Sequence, residues 1–84
     1  MAYSVCLIQD ARKDFDGLPS VVMPRVAAAL RELLENPRPA GCKKLVNLGA
    51  WRVRVGDYRI IYVIDDGAQA VTVVKIKPRA IAYR

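Results

Sequence analysis

The segment Trp51-Arg-Val-Arg-Val-Gly-Asp-Tyr-Arg-Ile-Ile-Tyr62 holds the densest set of side chains able to act on an anion. Arg52 and Arg54 are two residues apart, so any β-strand through them turns both to one side. A two-residue turn at Gly56-Asp57 pairs Val55 with Tyr58 and Arg54 with Arg59, and cross-strand partners share a face. Arg52, Arg54 and Arg59 are then expected on one face of one hairpin, with Trp51, Val53, Val55, Tyr58 and Tyr62 on the other as core. A one-residue bulge at the turn would send Arg59 to the opposite side. Like charges set opposite each other destabilise a sheet, and Asp57 in the turn serves at most one arginine. A phosphate backbone would serve all three, because guanidinium holds phosphate through paired hydrogen bonds. The competing reading is a solvated face with long side chains splayed into water. Pattern alone leaves the two level.

More cations lie nearby in sequence. Lys75, Lys77 and Arg79 end the last apolar run, and Tyr83 and Arg84 follow. Lys43 and Lys44 sit in the stretch 40–49, which reads as irregular. Lys43, Lys44, Lys75, Lys77 and Arg84 are the expected nucleic-acid contacts around the arginines. A tyrosine beside several cations can stack on a base or give up a proton. The plainer reading of Tyr83 is a ring packed over a sheet edge.

The 84 residues carry 14 Lys or Arg, 8 Asp or Glu and no histidine. Residues 1–36 have a net charge of −1 and residues 37–84 of +7, so the excess of +6 belongs to the second half. A basic half on a small domain is the electrostatic footprint of a polyanion binder. Without histidine there is no Ser-His-Asp triad, no Cys-His pair and no imidazole acid or base. Cys6 and Cys42 form no CxxC pattern, and two cysteines without histidine build no metal site, so no metal or cofactor is expected. Cys6 lies in an apolar run and reads as a small core residue. A reduced, cytoplasmic protein follows. Met1–Gln9 lacks the basic and apolar regions of a signal peptide, and no apolar run reaches membrane-span length, so no membrane partner is expected.

The elements that must position these residues can be read in outline. Tyr3–Ile8 is a short β-favouring run. A helix capped at or near Asp10 runs to about Asp16 and stops at Gly17 and Pro19. Val22, Val26, Ala29, Leu30, Leu33 and Leu34 form one helical stripe, with Pro24 in its first turn and Asn36-Pro37-Arg38-Pro39 ending it. Three strands follow, at Trp51–Val55, Tyr58–Ile64 and Ala70–Ile76, joined at Gly56-Asp57 and Asp65–Ala68. The order β-α-α-β-β-β in a single domain, residues 1–84, is an α+β layout: an antiparallel sheet with both N-terminal helices on one face.

At these residues the chain resembles the RelE/ParE superfamily of toxin–antitoxin toxins. The matching pieces are Leu30-Arg-Glu-Leu-Leu-Glu-Asn-Pro37, Lys44-Leu45, the run Trp51–Asp65, Pro78-Arg79 and Tyr83-Arg84. They span nearly the whole chain, and the Arg-Val-Gly-Asp-Tyr-Arg-Ile-Ile-Tyr stretch is the most specific. The pattern is closer to the RelE branch than to the ParE branch. The resemblance implies a microbial-ribonuclease-like fold and a metal-independent, ribosome-dependent endoribonuclease. Such a toxin cuts mRNA in the ribosomal A site, inhibits translation and is neutralised by a cognate RelB-like antitoxin. The partners implied are that antitoxin, mRNA and ribosomal RNA, with operator DNA reached only through the antitoxin complex.

Position by position, the resemblance assigns the catalytic set to Arg52, Arg54, Arg59, Arg79 and Tyr83. It implies in-line attack by the 2′-hydroxyl on the scissile phosphate. Arg54 and Arg59 would stabilise the non-bridging oxygens, Arg79 the leaving 5′-oxygen, and Tyr83 would stack on or orient a base. Two positions depart from the best-known RelE proteins. Arg52 stands where they have lysine, and guanidinium is almost never neutral. Pro78 stands where relatives often have histidine or lysine. Two other readings follow: a ParE-like inhibitor of DNA gyrase, which shares the fold without the basic cluster, and a degenerate toxin kept as a non-catalytic binding module.

Overall fold

A computed structural model describes residues 2–46 and 49–78. Arg79, Tyr83 and Arg84 lie outside the described residues. The elements are β1 (Ser4–Leu7), α1 (Gln9–Asp16), α2 (Met23–Glu35), β2 (Lys43–Leu45), β3 (Ala50–Val55), β4 (Tyr58–Asp65) and β5 (Ala70–Pro78). They form two helices and one five-stranded sheet in the order β1-β5-β4-β3-β2. The α+β class and the order β-α-α-β-β-β are as the sequence implies, with one further strand, β2, between α2 and β3.

Two features differ from that expectation. The sheet is mixed rather than antiparallel, because β1 runs parallel to β5, with Ser4 opposite Ala70 and Leu7 opposite Val73. A pairing between residues more than sixty positions apart leaves no trace in local alternation. The stretch 40–49 is not wholly irregular, since Lys43–Leu45 pairs with Ala50–Arg52 as an edge strand. Three residues are too few to show a period of two.

The helices form where the stripe places them. Pro24 stands in the first turn of α2, where its missing N–H costs nothing, and the last turn is closed by the Asn36 N–H donating to the Glu32 carbonyl at 3.0 Å. Val26 and Leu33 of α2 are fully buried, and Ala29 and Leu30 pack beside them. No side chain caps α1; Asp10 lies in its first turn, where the helix dipole favours a carboxylate. Ala11 and Phe15 of α1 join the same core. Its sheet side is Val55, Ile60, Tyr62, Val71, Val73 and Ile76, with half-buried Trp51, Val53, Tyr58 and Ile64 at the margin. The Tyr62 hydroxyl is buried and donates to the Pro37 carbonyl at 2.8 Å. Burial pushes that hydroxyl well above the usual phenol range.

The two ends of the sheet are closed differently. β1 covers only the first half of β5, and α1 lies along the rest. There the Ile76 N–H donates to Asp14 Oδ2 at 3.1 Å, so a helix carboxylate occupies a donor that a neighbouring strand would otherwise take. Cys6 is not a core residue. It faces outward from β1, exposed, with its Sγ 3.8 Å from Thr72 Oγ1.

Candidate functional site

The β3–β4 turn is the two-residue one. Val55 pairs with Tyr58, Arg54 with Arg59 and Arg52 with Ile61, without a bulge. Gly56 has φ +59° and Asp57 a negative φ, the glycine-first arrangement of a type II′ hairpin. A side chain at Gly56 would be strained by that φ and would also meet the Arg25 guanidinium at 3.2 Å. The turn therefore fixes the register, and the register puts Arg52, Arg54 and Arg59 on one face.

β5 adds its cations to that face by a route that strict alternation forbids. Val71, Val73, Lys75 and Lys77 are all odd-numbered, so an unbroken strand would turn the lysines into the core with the valines. The register instead shifts between Ile61 and Tyr62: Ile61 pairs with Lys75, Tyr62 with Val73, and Val74 is the extra residue. This bulge reverses the phase of the strand. Val71, Val73 and Ile76 stay in the core while Lys75 and Lys77 share the face of Ile61 and Arg59. The doublet Val73-Val74, where one apolar phase ends and another starts, is the sequence signal for it.

The result is two adjacent cross-strand rows. One runs Lys43, Arg52, Ile61, Lys75; the next runs Arg54, Arg59, Lys77. Six cations thus stand on one face across four strands. Arg52 and Arg59 are only 7% and 8% exposed, whereas Arg54 and Lys43 are open to solvent. The picture of long side chains splayed into water does not describe Arg52 and Arg59. A guanidinium held in a confined, partly desolvated place acts on a nearby anion more strongly than one in bulk water. Ala50, Ile61, Leu45 and Val74 form a small apolar patch beside Arg52.

Not every expected contact residue belongs to this face. Lys44 pairs with Trp51 and so lies on the opposite side, its Nζ 5.9 Å from the indole centroid. The pairing of β2 sets it apart from the other cations, which its sequence context did not reveal. Lys77 is on the face, but its Nζ is 2.7 Å from Asp14 Oδ1. The expected positions of Arg79, Tyr83 and Arg84 fall outside the described residues.

On the helix side another arginine has quite different company. Arg38 grips Asp66 with both terminal nitrogens, at 3.1 and 2.8 Å, and its guanidinium carbon is 5.0 Å from the Trp51 ring centroid. The Tyr3 hydroxyl donates to Asp66 Oδ1 at 2.7 Å. Arg38 first, then Tyr3, holds the Asp66 carboxyl down to about 2. The same hydrogen bond to an anion raises Tyr3 above the usual phenol value. This clasp joins the segment after α2, the β4–β5 turn and the N-terminal strand. Arg38 in a Pro-Arg-Pro segment gave no hint of its partner in sequence.

Comparison with known proteins agrees with this geometry. Residues 7–83 match the family described as the ParE toxin of the type II toxin–antitoxin system, parDE. Toxin RelE of Mycobacterium tuberculosis is 38% identical over 89 residues, which covers 98% of this chain and 87% of that protein. Toxin RelG of the same organism is 34% identical over 90 residues, covering 100% and 99%. Among solved structures, the archaeal RelE–RelB complex from Pyrococcus horikoshii OT3 contains a chain that superposes with a TM-score of 0.85 at 30% identity. That match covers 98% of this chain and 100% of the other.

Proposed function

Because the chain belongs to the RelE/ParE superfamily as a RelE-type toxin of a type II toxin–antitoxin system, we propose that it is an endoribonuclease that cuts mRNA on the ribosome and arrests translation. The observation that carries this reading is the pair of cation rows, with Arg52 and Arg59 nearly enclosed and Arg54 exposed beside them. A gyrase inhibitor of the same fold has no need of such a face. Pyrococcus RelE was solved together with RelB, and a cognate antitoxin is the corresponding partner proposed for this chain.

The chemistry follows from what guanidinium can and cannot do. The ribose 2′-oxygen attacks the adjacent phosphorus in line, and the bond to the 5′-oxygen of the next nucleotide breaks. The products are a 2′,3′-cyclic phosphate and a 5′-oxyanion, which takes a proton from water to become the 5′-hydroxyl. Negative charge builds on the non-bridging oxygens as the new bond forms, and in this reading Arg54 and Arg59, cross-strand partners in the hairpin, stabilise it. Arg52, at its row's centre, serves the same charge and orients the backbone. It does not take the 2′ proton, because an arginine remains protonated. That proton goes to a group outside the three arginines, supplied by the substrate, the ribosomal RNA or another residue. Arg79 is assigned to the leaving 5′-oxygen and Tyr83 to a base.

The direct test is induction of the chain followed by primer-extension mapping of mRNA, together with a purified translation system. Codon-phased cuts on ribosome-bound mRNA, absent from free mRNA, are expected. Gyrase-dependent DNA cleavage with intact mRNA would overturn the proposal in favour of a ParE-like activity. Tight antitoxin binding with neither effect would identify a binding module.

A further inference from the structure

The end of β5 that lies alongside α1 leaves two adjoining hollows, of about 280 and 300 Å³, which share Lys13, Asp14 and Lys77. The first also takes in Lys75 and Asp10, and the second has Tyr58, Leu18 and Ile76 at its floor. Lys77 continues the row Arg54, Arg59, Lys77, so this groove is the direct extension of the arginine face past the edge of the sheet. Asp14 would repel an anion there if its charge were not engaged. Its side chain is 12% exposed, and its two oxygens accept from the Ile76 N–H and bind the Lys77 ammonium. Beyond Lys77 and Lys75 of the sheet, the cation that lines both hollows is Lys13, exposed on α1, with the exposed Asp10 one turn before it.

We propose that this groove seats a backbone phosphate of single-stranded RNA flanking the nucleotide held on the arginine face, with Lys13 as the contacting cation and Asp10 as a weak opposing charge. The inference rests on the proposed RNA substrate and adds a subsite to it. A strand lying along Arg54, Arg59 and Lys77 runs off the sheet at this edge, and successive phosphates then need a cation beyond β5. Asp14 acts as a positioning residue, holding Lys77 between the face and the groove.

The test is salt-dependent binding of a fluorescein-labelled, 2′-O-methylated single-stranded RNA to the full chain, measured by anisotropy from 50 to 300 mM salt. Each phosphate contact to a single strand contributes about 0.7 to the slope of log K against log salt. Lys13→Ala should flatten the slope by about 0.7 and weaken binding about fivefold at 0.1 M salt. Lys13→Arg should restore both, and Asp10→Asn should tighten binding. Both side chains are exposed, so Lys13→Ala should melt cooperatively close to wild type, and Asp10→Asn should melt only slightly lower through loss of its interaction with the helix dipole. The proposal is overturned if Lys13→Ala and Asp10→Asn leave affinity and slope unchanged. It is also overturned if wild type does not bind this RNA at 50 mM salt, or if Lys13→Ala weakens only antitoxin binding, which would give the groove to a protein partner. Wild-type RNA binding that depends on Lys13, without mRNA cleavage on ribosomes, would remove the nuclease reading and leave the groove standing.

Discussion

Arg38 and Arg59 lie on opposite faces of the same sheet and show two uses of one side chain. Arg38 meets a carboxylate fork to fork, rests on an indole and shares its acid with a tyrosine hydroxyl. Every charge in that clasp is answered locally, and the product is a tie between three chain segments. Arg59 stands in a row with Arg54 and Lys77, on strand stretches 50–55 and 58–64 that carry no carboxylate, with Asp57 in the turn between them. Its row meets an acid at Asp14, from a helix, at the last cation. The difference teaches that the neighbouring positions matter as much as burial: Arg38 sits against an opposite charge, whereas Arg59 sits in a row of like charges, and the proposed RNA contact rests on that row.

The comparison can be broken most directly at Arg59. Arg59→Ala should lower mRNA cleavage on ribosomes by about 10²–10³-fold while the protein still melts cooperatively, since the change also relieves like-charge crowding with Arg54 and Lys77. Loss of the fold together with activity would make Arg59 a strut after all. Leu33→Ala, beneath the helix side, should act in the reverse way. It should cost about 2–5 kcal/mol of stability in denaturant unfolding, with cleavage per folded molecule unchanged. Tyr62→Phe deletes a single buried hydrogen bond to Pro37 and should cost about 1 kcal/mol. The leaving of the Pro37 carbonyl without its donor sets that cost, and a neutral result would show that the carbonyl finds water instead.

The smallest effect is one of pH. The Asp66 carboxyl is held at about 2 in the fold, below the ordinary carboxylate value of about 4. A lowered folded-state value favours the ionised form, so the clasp's contribution is present above about pH 4 and fades as pH falls towards 2. Melting temperature measured across that window should drop in wild type and drop less in Asp66→Asn, while the pH dependence of the Arg59 variant should follow wild type. An identical profile for Asp66→Asn would show that the clasp contributes nothing in solution.

Much of the candidate site was legible because it depends on short-range rules. Spacing two apart placed Arg52 with Arg54, and a glycine-first, two-residue turn placed Arg59 opposite Arg54. The helical stripe likewise gave α2, its proline start and its buried Val26 and Leu33. What escaped depended on neighbours distant in sequence. Lys44 was separated from Lys43 by a strand of three residues that exists only because β3 is there to pair with it. Cys6, apolar in context, faces outward because β1 aligns with β5 in parallel. The joining of Arg38 to Asp66 spans a loop, a hairpin and a turn.

The amino-acid sequence by itself determined the α+β class, the basic second half and the shared face of three arginines. Each of these follows from composition, from the period of a helix or strand, or from the geometry of a two-residue turn. Tertiary structure alone decided that the face is twice as large. The bulge at Val74 turns Lys75 and Lys77 away from the core only because Ile61 and Tyr62 of β4 fix the register on either side of it. Asp14 reaches Lys77 only because α1 takes the edge that β1 leaves uncovered. Alternation is a property of one strand, whereas phase and edge are properties of the strand beside it.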